Sequence, residues 1–548
     1  MITDLKVNEE KRREYYEKGY WSPKTLNDVW NDSVSSYGDL EYVSDDTGVR
    51  FTYGELDEKA ARFSSWLKDI GIQNGDVVTF QCPSWSEFCI IYVACLKVGA
   101  VMHPLSIRFN VEDMVYSMNL VGSKALITPT TFRKMDYEEQ NAQVLERVES
   151  LKKEAVCVID KETPARDSIT MREILEKYPM NTEAPESKSE DVALIIMTSG
   201  TTSRPKATLI THNNLVFSER VFSKGYHLTH DDICFMPSPL NHATGFNHGL
   251  ISTMQLGARV ILQQKFDAVE AINIMNREKA TWTMGATPFI YDMLNCAEKD
   301  DMKFETLRLF ICGGAPVPGV MIKRAYNHGV LLCESYGATE SCPHVAVSPE
   351  NCLGWNGDWS GVALEGIEVR VVDEEGNDVP YGELGEEISR GPNTFVGYLN
   401  NKEATDDTLT DDGWVKSGDI CVWDEMGRIK VKGRKKDILI RGGENISTNE
   451  VDYDLIGCPG VGAHSTIGMP DERLGERICT FVMVKDGIVP TVESVSKYLA
   501  SKGVAKRLWP EFIEIIDMIP ATESGKVKRY ELKLELERRL AERGKENH

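Results

Sequence analysis

The sequence predicts an α/β fold with largely parallel sheets, spread over more than one domain. Three observations predict it. The chain is 548 residues long, more than one hydrophobic core accommodates. Between Val29 and Thr128, apolar runs of strand length alternate with stretches of helical periodicity, the order that yields parallel sheets. After residue 364 the pattern changes to turn-rich, antiparallel-looking runs, and from residue 437 a smaller alternation of helix and strand resumes.

Taken in order, residues 8–20 are charged and predict a helix. Val49-Arg50-Phe51-Thr52 reads as a strand, and residues 53–63 follow with apolar positions at helical spacing. Residues 76–81 are a strand, and residues 85–98 predict an amphipathic helix stopped by Gly99. Residues 101–104 and 125–128 are further strands; 133–150 and 162–190 are charge-rich surface segments. The continuous apolar run Val192-Ala193-Leu194-Ile195-Ile196-Met197 reads as a buried strand, and Ala207-Thr208-Leu209-Ile210 as its successor. Residues 232–237, 259–262, 281–285 and 307–312 are strand-like, with a helix over 267–278. Residues 368–372 and 387–390, joined through Asp-Glu-Glu-Gly-Asn turn chemistry, predict a small β-barrel-like subdomain. A charged helix over 530–544 comes last.

Composition narrows the function classes. The net charge of −23 excludes a nucleic-acid binder, which needs a basic face, and disfavours an anionic membrane surface. Thirteen cysteines, scattered singly with no CxxC pair, fit a reducing compartment. The N-terminus carries no apolar signal core, and the best apolar stretch, residues 88–100, is interrupted by Lys97. The expectation is a cytoplasmic, soluble protein without a transmembrane segment.

The chemistry centres on Thr198-Ser199-Gly200-Thr201-Thr202-Ser203-Arg204-Pro205-Lys206, which offers five hydroxyls, a glycine and two cations between two strands. Such a loop can wrap a polyphosphate: backbone N–H groups and hydroxyls donate, Gly200 permits close approach, and Lys206 or Arg204 offsets charge. No Gly-Lys-Ser/Thr opens a helix here, so it is not a Walker loop. His242 and His248 have no cysteine or carboxylate at ligand spacing, which excludes a metal there.

The loop resembles the phosphate-binding signature of the adenylate-forming superfamily, which comprises acyl-CoA synthetases, luciferases and peptide-synthetase adenylation domains. Ser203 and Ala207 stand where that signature usually has glycine. Further blocks agree in order, and the resemblance runs from about residue 25 to 535. Pro239-Leu240-Asn241-His242 matches the histidine segment beside the carboxylate site, and Gly313-Gly314-Ala315 the backbone on which adenine lies. Tyr336-Gly337-Ala338-Thr339-Glu340 matches the block in which Tyr336 stacks on adenine, Thr339 donates to the α-phosphate and Glu340 holds Mg²⁺. Asp419 matches the ribose-binding aspartate, Arg434 a ribose-contacting arginine, Lys436 the hinge residue, Gly443 a glycine lining the thiol tunnel, and Lys526 the catalytic lysine.

The resemblance implies a large N-terminal domain, residues 1–433, of two α/β subdomains plus the β-barrel-like subdomain. A hinge at 434–436 and a small mobile α+β lid domain, residues 437–548, follow. It implies an ATP- and Mg²⁺-dependent ligase that converts a small carboxylic acid to acyl-AMP with release of pyrophosphate and passes the acyl group to coenzyme A. The blocks at 237–246, 285–289 and 441–445 look most like the short- and medium-chain fatty acyl-CoA synthetases and the alicyclic-acid CoA ligases. Aryl, alicyclic or bile acid ligases, and acyl-AMP ligases that load a carrier protein, are the enzyme alternatives. A non-catalytic nucleotide sensor and a light-emitting relative are the others. Chain length of the acid is not legible, and a homodimer is a candidate assembly.

Overall fold

The computed structural model describes residues 2, 5–198, 205–314, 317–441, 444–471, 473–522 and 527–546. The chain divides into two compact units, the second made mainly of residues 370–388 and 417 onward.

The first unit holds two sheets. One has the strand order Lys206–Thr211, Val192–Thr198, Val101–Pro104, Val77–Phe80, Ala125–Pro129, Val156–Ile159, Ile169–Thr170. All its neighbours are parallel except the first two, which pair antiparallel with Thr198 opposite Lys206. The hydroxyl-rich stretch therefore connects an antiparallel pair. The strands are apolar on both faces, as parallel strands covered by helices must be.

The other sheet runs through β1 (Glu41–Asp45), β2 (Arg50–Thr52), β3 (Ile233–Met236), β4 (Arg259–Leu262), β5 (Trp282–Gly285), β6 (Leu309–Gly313), β7 (Leu331–Ala338), β8 (Ser341–Ala346) and β9 (Gly361–Ala363). Their order in space is β9-β8-β7-β6-β5-β3-β4-β1-β2. From β7 to β1 the neighbours are parallel. The order reverses between β3 and β5: the chain leaves β3 for β4 on one side and returns to β5 on the other. Open α/β sheets bind ligands outside the carboxyl ends of the strands at such a switch point.

One element departs from the sequence reading. The helix Glu87–Val98 is not amphipathic: Phe88 through Leu96 and Val98 are buried, because the helix is apolar all round and enclosed by the core. Phe88 and Tyr92 set their rings against Phe246, centroids 6.0 and 5.8 Å apart, which fixes the segment after His242 from behind. Gly99 ends the helix in the left-handed region at φ +70°, as expected of a glycine stop. The charge-rich stretches 133–150 and 162–190 hold the helices Tyr137–Arg147 and Met171–Lys177, each with a buried face.

Around the second unit, the strands Glu368–Val372, Gly385–Arg390, Val415–Trp423 and Arg428–Arg434 lie side by side in that order. Together they make an open row of strands, and no closed barrel is found among the described residues. A separate sheet follows, with Glu444–Ser447, Ile438–Arg441, Gly475–Val484 and Val461–Asp471 in order and Phe512–Ile515 beside Gly475–Val484. The helices Thr448–Asp454, Val492–Ser501 and Arg529–Glu546 make this part α+β.

Candidate active site

The carboxyl edge of β3 to β7 gathers the segments singled out from the sequence. β3 leads into Pro237–His242, and the Ser238 hydroxyl donates to the Met284 carbonyl of β5 at 3.2 Å, which bridges the switch point. The segment turns tightly: the His242 N–H donates to Pro239 O at 3.3 Å and the Phe246 N–H to His242 O at 2.9 Å. The Thr244 N–H donates to His242 Nδ1 at 3.4 Å, which puts the proton of a neutral ring on Nε2. Gly245 is required here, since a Cβ would lie 2.3 Å from Pro239 O. Thr244–Ile251 then forms a π-helix, a wide turn that concentrates at functional sites.

Two strands away, β6 ends at Gly313, opposite Ser335 of β7. Gly314 takes φ +86° with open space where a Cβ would be, a flat backbone surface. β7 and β8 form a hairpin in which Ala338 faces Ser341, so Thr339 and Glu340 are its two-residue tip. The register shifts between Tyr336 and Ala338, and a Cβ on Gly337 would meet Ser341 O at 3.1 Å. That bulge aims the tip. Tyr336 is half-buried and meets the His344 ring edge-on at 4.7 Å.

The phosphate-loop strand and the hairpin tip meet at one side chain. The Tyr398 hydroxyl donates to Glu340 Oε1 at 2.5 Å, and the Lys206 ammonium lies 4.1 Å from the centre of the Tyr398 ring. The Tyr116 hydroxyl donates to Pro205 O at 3.1 Å and fixes the chain as it leaves the loop. Thr198 donates through Oγ1 to Lys206 O at 3.4 Å. Among the described residues no group of three or more His, Cys, Asp or Glu side chains could cage a metal. A single carboxylate with one oxygen held by Tyr398 suits Mg²⁺, which takes one or two carboxylates and completes its shell with phosphate oxygens and water.

In the second unit, Asp419 sits opposite Arg434 in the antiparallel pair Val415–Trp423 and Arg428–Arg434. Arg434 Nε is 2.8 Å from Asp419 Oδ1, and Nη1 donates to Ser417 O at 3.1 Å. The Asp419 N–H donates to Ser417 Oγ at 3.0 Å. The pair presents an oriented carboxylate of the kind a diol donates to.

Residues that the sequence reading missed lie just behind His242. His248 Nδ1 is 2.9 Å from Glu219 Oε2, and His248 Nε2 is 3.4 Å from Cys342 Sγ. Phe222 stacks on the imidazole at 4.2 Å, and both members of the ion pair are buried. Burial alone would lower the His248 pKa; the Glu219 carboxylate and Cys342 outweigh it and raise the pKa to about 10. In the sequence His248 is only a rejected metal ligand, and nothing in the spacing of residues 219, 248 and 342 joins them.

The structure thus brings Thr198, Lys206, Thr339 and Glu340 into connected elements of the first unit, with His242, Gly313, Gly314, Tyr336 and Gly337 along its sheet edge. Asp419 and Arg434 pair in the second unit. Ser199, Gly200, Thr201, Thr202, Ser203, Arg204, Ala315, Gly443 and Lys526, with the side chain of Lys436, lie outside the described residues. Among the described residues no helix is long and apolar enough to cross a membrane.

Comparison with known proteins identifies the family. Residues 30–399 match the AMP-binding enzyme family and residues 450–526 its C-terminal domain. The chain is 37% identical over 546 residues to the medium-chain fatty-acid–CoA ligase of Escherichia coli (strain K12), covering 99% of this chain and 96% of that one. It is 31% identical over 488 residues to a feruloyl-CoA synthase of an Amycolatopsis species, covering 89% and 94%. Among solved structures, ATP-bound MatB from Rhodopseudomonas palustris superposes with a TM-score of 0.83 at 25% identity over 93% of this chain and 98% of that one. The anthranilate CoA ligase AuaEII in complex with anthranoyl-AMP shares the fold, with a TM-score of 0.86 at 21% identity over 94% and 97%. On this full-length agreement of sequence, fold and ordered motifs, the chain belongs to the AMP-binding enzyme family.

Proposed function

We propose that this enzyme is an acyl-CoA synthetase that activates a short- or medium-chain carboxylic acid with ATP and transfers the acyl group to coenzyme A. The observation that carries the reading is the 37% identity over 99% of the chain to a medium-chain fatty-acid–CoA ligase. A carboxylate is a poor electrophile. Its attack on the α-phosphorus of ATP gives an acyl-adenylate and pyrophosphate, and negative charge grows on the α-phosphoryl oxygens and the leaving group. Lys206 and the hydroxyls of residues 198–203 receive the outer phosphates. Thr339 donates to the α-phosphate, and Lys526 delivers a cation to the growing charge. Glu340 would hold Mg²⁺, which supplies charge neutralisation on the phosphates. Tyr336, Gly313, Gly314 and Ala315 receive adenine; Asp419 and Arg434 receive the ribose; His242 orients the acid.

In the second half-reaction the thiol of coenzyme A attacks the acyl carbonyl and AMP leaves. On this reading Lys526 serves the first half-reaction and Gly443 the thiol path of the second. We assign residues 437–548 to a lid domain that turns about a hinge at 434–436 between the two steps. Electrostatic donors of this kind lower the barrier by about 3–4 kcal/mol each. Lys526→Ala is expected to lower ATP–pyrophosphate exchange at least a hundredfold while sparing thioester formation from supplied acyl-adenylate. Gly443→Leu is expected to do the reverse. Equal loss of both half-reactions in either variant overturns the division of labour. A panel of acids differing in length and ring content decides between aliphatic acids and the aryl acids that the feruloyl-CoA synthase relative favours as the second reading.

A further inference from the structure

We infer that Tyr398 is the positioning residue that couples the metal-binding carboxylate to the phosphate-binding lysine. This rests on the reading of Glu340 and Lys206 given above. Tyr398 lies outside the motifs singled out from the sequence, yet it is buried and touches both groups. Its hydroxyl holds Glu340 Oε1 at 2.5 Å, and its ring face carries the Lys206 ammonium at 4.1 Å. A hydrogen bond to one carboxylate oxygen stops the carboxylate from rotating and sets the direction of the other. A cation over an aromatic face is drawn to the ring's electron-rich centre, which fixes where the ammonium sits.

The backbone around Tyr398 does the same work at larger scale. The Phe395 N–H donates to the Glu340 carbonyl at 2.9 Å. Beyond it, Val396 donates to Leu209 O, Leu209 to Gly397 O, and Leu399 to Ala207 O. Residues 395–399 thus form a strap bonded both to the hairpin tip of one sheet and to the phosphate-loop strand of the other. From this strap the Tyr398 side chain reaches both functional groups. Asn393 Nδ2 extends the anchor with a 2.8 Å bond to Pro343 O beyond the tip. One rigid, two-ended side chain therefore sets where cation and carboxylate sit relative to each other, and a nucleotide with its metal has to bridge them.

The two ends separate experimentally. Tyr398→Phe removes the hydroxyl and keeps the ring; Tyr398→Leu removes both. Mn²⁺ binding in the presence of a non-hydrolysable ATP analogue, followed by electron paramagnetic resonance, reads the carboxylate end independently of turnover. Metal-free binding of the same analogue, followed by calorimetry, reads the lysine end. Tyr398→Phe is expected to weaken Mn²⁺ about tenfold, to lower kcat by a similar factor, and to leave metal-free binding unchanged. Tyr398→Leu is expected to weaken metal-free binding about tenfold as well. Wild-type Mn²⁺ affinity in Tyr398→Phe overturns the inference, as does an equal loss of both bindings in the two variants. Glu340→Gln is the companion arm. If Glu340→Gln loses Mn²⁺ and Tyr398→Phe does not, the coupling fails while the site reading stands. If Glu340→Gln binds Mn²⁺ normally, the site reading itself fails.

Discussion

Replacing Glu219 with glutamine tests the charged pair behind the acid side of the site. In the wild-type protein, His248 is enclosed on all sides, yet its pKa is raised from 6.5 to about 10. A folded-state pKa above the unfolded value contributes stability that is fully present below about pH 6.5 and is lost as pH rises through about 10. A tenfold gain in proton affinity corresponds to about 1.4 kcal/mol, so the pair contributes at most about 5 kcal/mol near pH 6 and almost nothing above pH 10. Glu219→Gln keeps an acceptor for His248 but removes the charge, which leaves the buried imidazole neutral. Breaking one side of a buried pair typically costs about 3–5 kcal/mol, in agreement. A chain of two units need not unfold in one step, so the comparison is between apparent unfolding midpoints of wild type and variant at the same pH. The variant is expected to melt several degrees lower at about pH 6, with the gap narrowing steadily towards about pH 10. Two curves that stay parallel across that range would refute the charged-pair argument, whatever their separation.

Three further outcomes follow from the geometry. Gly245→Ala places a Cβ against the carbonyl of Pro239, a backbone atom that cannot swing away, and so displaces His242. The acid KM is expected to rise at least tenfold with the ATP KM little changed, measured by pyrophosphate exchange. Asp419→Asn leaves the size of the side chain and weakens both the Arg434 pair and acceptance from a diol; the ATP KM is expected to rise about 10–100-fold. The same variant should discriminate less between ATP and 2′-deoxy-ATP, and unchanged discrimination would count against a ribose role for Asp419.

The strands of the first unit were legible because parallel strands buried on both faces read as unbroken apolar runs, as at residues 192–197, but their order in space was not. The antiparallel pairing of Lys206–Thr211 with Val192–Thr198 was not read from the sequence, in which the two are successive strands without a direction. The helix Glu87–Val98 reads as amphipathic in the sequence because Glu87 and Lys97 at its ends suggest a polar face that the ten buried residues between and beyond them do not have. Within the site, residues close in sequence were readable: Thr339 and Glu340 stand together on one tip. Tyr398 was not readable, since its meaning comes from a strap that reaches the tip only after the intervening strands have folded. The Glu219–His248 pair escaped for the same reason, its members lying on two helices that the core brings face to face. Net charge over the whole chain, −23, says nothing about either, because each is decided by two or three groups in a dry environment.

The wide helical turn at Thr244–Ile251 has a consequence for how this scaffold diversifies. A π-turn carries one residue more than an α-turn, so removing a single residue there relaxes it to ordinary helix and changes the turn itself, while the backbone on either side keeps its register. The strap and the hairpin tip belong to other stretches of backbone and are untouched by that change. One mutational event therefore alters the wall behind His242 and, on the function proposed above, the fit of the acid, without altering the residues proposed to meet the nucleotide.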